Sequence, residues 1–359
     1  MARNGIEFLE EGKSSVSLRL NSLKERDEWQ RVMNAFPMSD IYYMPDYMET
    51  QEELERGRAL LAVWDPPDFD GKVAYAFIKR SIEGYDDVFD ITTPYGYGGP
   101  IFSGSLTDSS RAIREFRAEF SDYCRDSRIV SEFVRFHPLL GNYVGDCCGM
   151  KTAYVRDTVV VELDASRDPL VAFPSKTRNM VRKAVKRGVR VEVSSDATSL
   201  REFIRLYNET MQRRNAADYY FFSELFFKEL LEKVKPRPFL LTACLGDRAI
   251  ASALFLRFDQ FLHYHFSGSD PDFQRFAPND LIIYEAAVQG IRLGAKRLHL
   301  GGGYKGTEDS LFRFKASFSD VRTPFYIGRQ IHDQEAYDKL CIVLGRNDEG
   351  YFPAYRKRG

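Results

Sequence analysis

Residues 261–303 read FLHYHFSGSDPDFQRFAPNDLIIYEAAVQGIRLGAKRLHLGGG, and their changing periodicity decides the architecture. Alternating apolar residues over 261–267 predict a strand, and the short apolar run 296–301 predicts another. Between them, Leu281, Tyr284, Val288 and Ile291 recur at helical spacing over 280–293, with Pro278 suited to a first helical turn and Gly294 to a stop. A strand, helix and strand this close together form a parallel crossover unit, which brings the helix start and the end of the second strand to one edge of the sheet. Gln274 to Asp280 and Gly301 to Gly303 therefore share that edge, where backbone amides can converge on an anion or an oxyanion. Three consecutive glycines weaken a strand interior but let a ligand approach the backbone closely.

Working outward, short apolar runs predict further strands over 59–64, 73–79, 158–163, 239–245 and 249–257, and helical spacing appears over 22–35, 109–126, 168–187, 198–213 and 223–234. Mixed strands and helices throughout predict an α/β (α+β) fold. A weak internal repeat sets Ala74-Tyr-Ala-Phe-Ile-Lys-Arg80 beside Ala251-Ser-Ala-Leu-Phe-Leu-Arg257, each after a glycine-bearing turn. Two copies of a small sheet domain, with a seam near 150–165, account for it.

The chain has 359 residues and 44% hydrophobic content, enough for two domains with a sizeable core. Its 51 Lys and Arg against 52 Asp and Glu exclude a global drive toward nucleic acid or membrane, so any anionic partner needs a local patch. No apolar run reaches the length of a membrane span, and the N-terminus MARNGIEFLEEGKSS lacks an apolar leader core, which predicts a cytoplasmic protein. Five cysteines without a Cys-x-x-Cys pair predict free thiols. The tract 176–190 carries Lys176, Arg178, Arg182, Lys183, Lys186, Arg187 and Arg190 and no acid. On a helix, Arg178, Arg182 and Lys186 share a face that would hold phosphates, although a solvated face is the usual meaning of a charge run. His263 and His265 alternate on one side of a strand. No carboxylate or cysteine at ligand spacing completes a metal set, so they read as packed or hydrogen-bonded, with His265 also a candidate general base. Arg135 and His137 alternate in the same way on a first-half strand and are candidates for the same cleft.

The assembled pattern resembles the FemAB-like branch of the GNAT acyltransferase superfamily, the peptidoglycan bridge aminoacyltransferases and their acetyltransferase relatives. It is carried by Ser175-Lys-Thr-Arg-Asn-Met-Val-Arg-Lys-Ala-Val-Lys-Arg-Gly188, Tyr264-His-Phe-Ser-Gly-Ser269, Ala277-Pro-Asn-Asp-Leu-Ile-Ile-Tyr-Glu285, Leu311-Phe-Arg-Phe-Lys-Ala-Ser-Phe318 and, in the first half, Tyr95-Gly-Tyr-Gly-Gly-Pro100. The resemblance implies two tandem GNAT-like lobes, each a mixed sheet flanked by helices, with a cleft between them. The expected division is 1–155, 156–335 with the acyl-transfer site, and a C-terminal extension 336–359 packing back on the fold. Phe314 and Lys315 match by position a Phe-Lys pair that lies by the transferred acyl group. A lysine there stabilises the charge that develops on the carbonyl oxygen, whereas read on its own it is a solvated strand-edge residue. Tyr95, Tyr97, Tyr264, Ser267, Asn279, Glu285, Gly301, Gly302, Gly303, Tyr304 and Arg313 are the further substrate-site candidates, and Arg178, Arg182, Lys183 and Lys186 the anion-binding ones. No metal or tightly bound cofactor is implied. The co-substrate is an acyl-CoA or an aminoacyl-tRNA, and the acceptor an amine of a cell-wall precursor or amino sugar. One departure bears on the donor: where GNAT enzymes carry a glycine-bearing pyrophosphate turn, this chain reads Gln274-Arg-Phe-Ala-Pro-Asn279, and Pro278 removes a backbone donor. A non-catalytic protein that holds an anionic ligand between two lobes is the competing class.

Overall fold

A computed structural model describes residues 17–357 apart from 68, 106–107, 144, 305–307 and 347–349; the N-terminal stretch read above for a leader core lies outside the described residues. The first half runs β1 (Leu18–Ser22), α1 (Arg26–Asn34), α2 (Pro45–Glu55), β2 (Gly57–Trp64), β3 (Val73–Ile82), β4 (Tyr85–Thr92), β5 (Ile101–Phe102), α3 (Ser109–Asp126) and β6 (Ile129–Arg135). The second continues β7 (Lys151–Glu162), α4 (Pro169–Ala172), α5 (Ser175–Lys186), β8 (Val189–Ser194), α6 (Ala197–Arg213), α7 (Glu224–Lys233), β9 (Phe239–Leu245), β10 (Arg248–Phe258), β11 (Phe261–Ser269), α8 (Pro278–Arg292), β12 (Arg297–Gly301), α9 (Ser310–Ala316), β13 (Arg322–Ile331) and α10 (Gln334–Val343).

All strands join one mixed sheet in the order β1-β2-β3-β4-β6-β13-β7-β12-β11-β10-β9-β8, with β5 branching from β3. The two halves repeat a pattern. β2, β3 and β4 are antiparallel neighbours followed by the parallel pair β4/β6, and β9, β10 and β11 are followed by the parallel pair β11/β12. The repeated heptapeptides occupy β3 and β10, the equivalent strands of the two halves. The fold is a mixed α/β tandem of two such units that share one sheet.

Local chemistry explains the element edges. The single helix expected over 168–187 is two, α4 and α5, because Pro174 holds Phe173 in an extended conformation. In α8, Leu281, Ile282, Ile283, Ala286 and Ala287 are buried, and the chain leaves through Gly294 at φ +84°. The segment containing Phe314 and Lys315 is a short helix, not a strand edge, because the Asp309 side chain accepts the Phe312 amide at 2.9 Å and caps it. Gly268 marks where β11 meets α6: a Cβ there would lie 2.3 Å from the Leu206 carbonyl.

β13 is inserted between β6 and β7. A buried polar network pins it there. Arg117 of α3 makes a two-pronged pair with Glu132 of β6 at 2.7 and 2.8 Å and also binds Gln330 of β13, while His332 Nε2 lies 3.2 Å from Glu132. Beyond β13, α10 and the turn Ala354–Arg356 pack on Ile82 and Val130, and Tyr355 shares a hydrogen bond with Ser131 at 2.7 Å. The five cysteines are free. Among the described residues no helix is long and apolar enough to cross a membrane.

Candidate active site

β11 and β12 pair only from Phe261/Arg297 to His263/His299. Beyond that point they part: β11 continues along β10 to Ser269, and β12 ends at Gly301, which takes φ +72° and pairs with Val159 of β7 across a register shift. The strands open a wedge with Tyr264 to Ser267 on one wall and the three glycines on the other. A φ in the left-handed region at Gly301 is open to glycine at little cost and strained for other residues.

Lys315, on α9, reaches back to this wedge. Its ammonium nitrogen donates to the Gly302 carbonyl at 2.8 Å and stands 5.7 Å from the Tyr264 ring centroid. The residue is 8% exposed. Burial, reinforced by the nearby Arg156 and Arg214 guanidinium groups and opposed by Asp309, brings its pKa down to about 7. A methyl group placed on Gly301 would lie 3.4 Å from Lys315 Nζ and 3.9 Å from the Tyr97 hydroxyl, so the two donors flank one open point above the glycine. Burial raises the Tyr97 pKa, which keeps its hydroxyl protonated. Around them, Arg156 of β7 donates to the Gly303 carbonyl, Asp309 accepts the Tyr304 amide, and Arg214 stacks over the Tyr304 ring at 4.3 Å. Lys315, Arg156 and Arg214 together make this end of the wedge cationic, with Asp309 opposing them.

Directly behind the wedge lies a second group. Of the five histidines in the chain, His137, His263 and His299 are buried together with Asp40. Asp40 Oδ2 lies 2.8 Å from His137 Nε2 and 2.7 Å from His263 Nε2, while Oδ1 accepts the Ile41 amide at 2.6 Å. Burial opposes the charge on Asp40, but His263 and His137 overcome it and hold the carboxyl well below its ordinary range. His263 Nδ1 meets His299 Nδ1 at 3.3 Å, and His299 Nε2 is buried without a partner. Asp40, His137 and His263 have the composition of a metal site, but the tautomer argues against it. His137 Nδ1 accepts the Leu139 amide at 3.1 Å, so its proton is on Nε2, which donates to Asp40 and has no lone pair for a cation.

The other expected residues are distributed as follows. Tyr264 and Ser267 line the wedge, Ser267 offsetting part of the rise that burial gives the Tyr264 pKa. His265 lies farther along β11, 3.3 Å from the Tyr47 hydroxyl and edge-on to Tyr95; burial and His263 lower its pKa to about 3, which makes it a weak base. Arg135 donates to the Thr93 carbonyl at 3.2 Å and supports the turn that carries Tyr95 and Tyr97. Phe314 packs against Phe318 in the second-half core, with ring centroids 5.2 Å apart, and exposed Arg313 donates to the Glu308 carbonyl. Asn279 is in the first turn of α8, and Glu285 interacts with Arg292 and Asp168, burial raising its pKa.

On the basic helix α5, Arg182 and Lys186 are exposed, Arg178 donates to the Phe173 carbonyl at 2.6 Å, and Lys183 lies near Asp280. Asp280, in the first turn of α8, has its pKa raised by burial to about 6. Among the described residues, no ion pair neutralises the seven bases of this tract. Thr177 of α5 donates to the Ser317 carbonyl, which docks the helix two residues beyond Lys315.

Asp40, Arg156, Arg214, Asp309 and His299 escaped sequence reasoning. The carboxylate that completes the histidine group is 223 positions from His263, so no local spacing announces it. His299 stands in the quoted stretch between Leu298 and Leu300, which face the core; a lone polar residue in a buried strand was its only mark.

The family model for the GNAT acetyltransferase domain matches residues 174–315. No curated protein sequence matches the chain. Among solved structures the chain is similar to FemX, with TM-score 0.62 and 15% identity over 90% of this chain and 99% of that one. It is also similar to a conserved protein of unknown function from Bacteroides thetaiotaomicron, with TM-score 0.55 and 11% identity over 87% and 99%.

Proposed function

We propose, from the premise that residues 174–315 form a GNAT acetyltransferase domain in a FemX-like fold, that this protein is an aminoacyltransferase. It moves an aminoacyl group from a tRNA carrier to an amine of a cell-wall precursor or amino sugar. The observation that carries the reading is the buried Lys315 ammonium, tied to the Gly302 carbonyl and facing the Tyr97 hydroxyl across the open point above Gly301. When the amine lone pair attacks the ester carbonyl, the carbonyl oxygen takes the electron pair, and a fixed ammonium in a water-poor site stabilises it. The new carbon–nitrogen bond forms, the carbon–oxygen bond to the carrier breaks, and no enzyme-bound acyl group intervenes.

Two features favour tRNA over CoA as carrier. The acid-free helix α5 is docked beside the Lys315 helix and presents Arg182 and Lys186 to solvent. The start of α8, where a pyrophosphate would sit, has Pro278 in place of a donor and the Asp280 carboxyl in its first turn, which opposes a second anion.

Thermal shift with acetyl-CoA, longer acyl-CoAs and charged tRNA tests the donor, since a ligand at 100 times its Kd adds about 2.7 kcal/mol of stability. Charged tRNA is expected to give the largest shift, and the double variant Arg182→Glu, Lys186→Glu to abolish it. Stabilisation by acetyl-CoA alone would reassign the donor. Lys315→Ala is expected to keep the shift and lose turnover; unaltered turnover removes Lys315 from the mechanism.

A further inference from the structure

The amine that attacks a carbonyl carbon must also shed a proton, and His265, with its pKa near 3, is poorly suited to take it. We propose that Asp40, His263 and His299 form a proton relay that opens at His299 Nε2 and takes up the proton lost by the acceptor amine. The proposal rests on the acyl-transfer reading of the wedge.

The hydrogen-bond chain supports two protonation states with the same heavy-atom positions. In the resting state His263 donates through Nε2 to Asp40 and accepts through Nδ1 from the Nδ1–H of His299, leaving the lone pair of His299 Nε2 free; the distances are 2.7 and 3.3 Å. In the loaded state His299 carries its proton on Nε2, and His263, now protonated on both nitrogens, is an imidazolium against the Asp40 carboxylate. The states differ by one proton, and the charge always rests on the His263–Asp40 pair. His299 stays neutral in both. This fits its environment: burial lowers its pKa far below the ordinary value, and His263, His137 and the Lys315 ammonium act in the same direction, with only Asp40 opposing. His137, fixed as a donor to Asp40 by the Leu139 amide, holds the carboxylate in place without joining the relay.

The relay begins next to the acyl site. His299 lies two residues before Gly301, and the Tyr97 ring, whose hydroxyl faces the open point above that glycine, is 5.4 Å from the His299 ring centroid. Nε2 itself is closed to solvent and has no hydrogen-bond partner in the unliganded protein, so the relay requires the Tyr97 side chain to close on it when substrate binds; the hydroxyl then passes its own proton to Nε2 as it takes one from the amine nitrogen. Lys315 meanwhile holds the oxyanion. On collapse, the leaving oxygen departs with the bond electrons and takes a proton from the Lys315 ammonium; the relay and the lysine then return to rest by exchanging one proton through solvent. An unpartnered buried nitrogen otherwise costs stability; as the receiving end of a relay it has a use. His299 and His263 are hydrogen-bonded to conduct the proton, Tyr97 is the side chain beside them that would deliver it, and Asp40 and His137 are positioning residues.

The test has two independent parts on the full chain. First, 15N-histidine NMR of the unliganded protein is expected to find His299 protonated on Nδ1 at rest. On acidification the added proton should appear on His263, while the His299 proton moves to Nε2. A His299 that rests protonated on Nε2, or that itself becomes an imidazolium, overturns the relay whether or not the protein transfers acyl groups. Second, with charged tRNA as donor and glucosamine as acceptor, His299→Gln and Asp40→Asn are each expected to lower kcat by about 10²- to 10³-fold. Donor-induced thermal shifts should be unchanged and the double variant no worse than either single. Wild-type kcat in a folded His299→Gln protein overturns the relay while leaving the acyltransferase reading intact. Wild-type protein that transfers nothing defeats that reading instead, and the NMR arm then decides the relay alone.

Discussion

At neutral pH the Lys315 side chain is near its midpoint, because burial together with Arg156 and Arg214 brings its pKa to about 7. If its ammonium form acts on the acyl oxygen, kcat/KM, which reports the free enzyme, is expected to fall as pH rises above about 7. Lys315→Arg, charged at every accessible pH, should lose that alkaline limb even if its absolute rate is lower; a pH–rate profile of both proteins decides. The same shift has a stability sign. The unfolded lysine keeps its proton up to its ordinary value of 10.5 while the folded one releases it near 7. The penalty of burial is therefore fully present below pH 7 and fades as pH climbs toward 10.5. Lys315→Met should stabilise the inactive protein by on the order of 2–4 kcal/mol at pH 6.5, with little gain left near pH 10.5, by denaturant unfolding. Lys315 was legible in the sequence through the pattern around it, but its burial was not, since an isolated lysine is read as solvated until the fold covers it.

The wedge depends on how closely β11 and α6 approach. Gly268 has no room for a side chain, because a Cβ would meet the backbone of Leu206 and Tyr207 at 2.3 to 2.4 Å, and backbone cannot give way as the tip of a side chain can. Gly268→Ala is expected to lower the unfolding midpoint by an amount equivalent to about 3 kcal/mol or more, the upper range for overpacking. Strands and helices with strong apolar periodicity were legible: α3 and β9 match their expected bounds, and the crossover of β11, α8 and β12 was read in order. Elements made of mixed residues were not. α2 and β13 carry little periodicity: α2 buries Thr50, Gln51 and Glu55 along with its apolar residues, and seven of the ten residues of β13 are only partly covered. Their structure comes from contacts with distant segments. The histidine group shows the same limit, since its members come from β11, β12, the segment just after β6 and the loop before α2, and become neighbours only in the folded protein.

One sheet runs through both halves of the molecule, so the repeat visible in the sequence does not correspond to two bodies that can move apart freely. β13 supplies the strand between β6 and β7, and its hold is the buried Arg117–Glu132–Gln330 network. Glu132→Ala would leave the Arg117 charge buried and unpaired, and is expected to cost about 3–5 kcal/mol. Because the network spans both halves, calorimetry should still show a single unfolding transition at lower temperature; two separate transitions would mean that the halves are held together in some other way. The inserted strand also has a consequence for synthesis. Chains emerge from the ribosome in order, and domains tend to fold as they appear. Here β6 is made early, yet the strand that covers its open edge lies nearly 200 residues downstream, so for about half of translation the nascent first half presents a bare strand edge. Until β13 arrives, that edge is where the nascent chain is open to pairing with another strand.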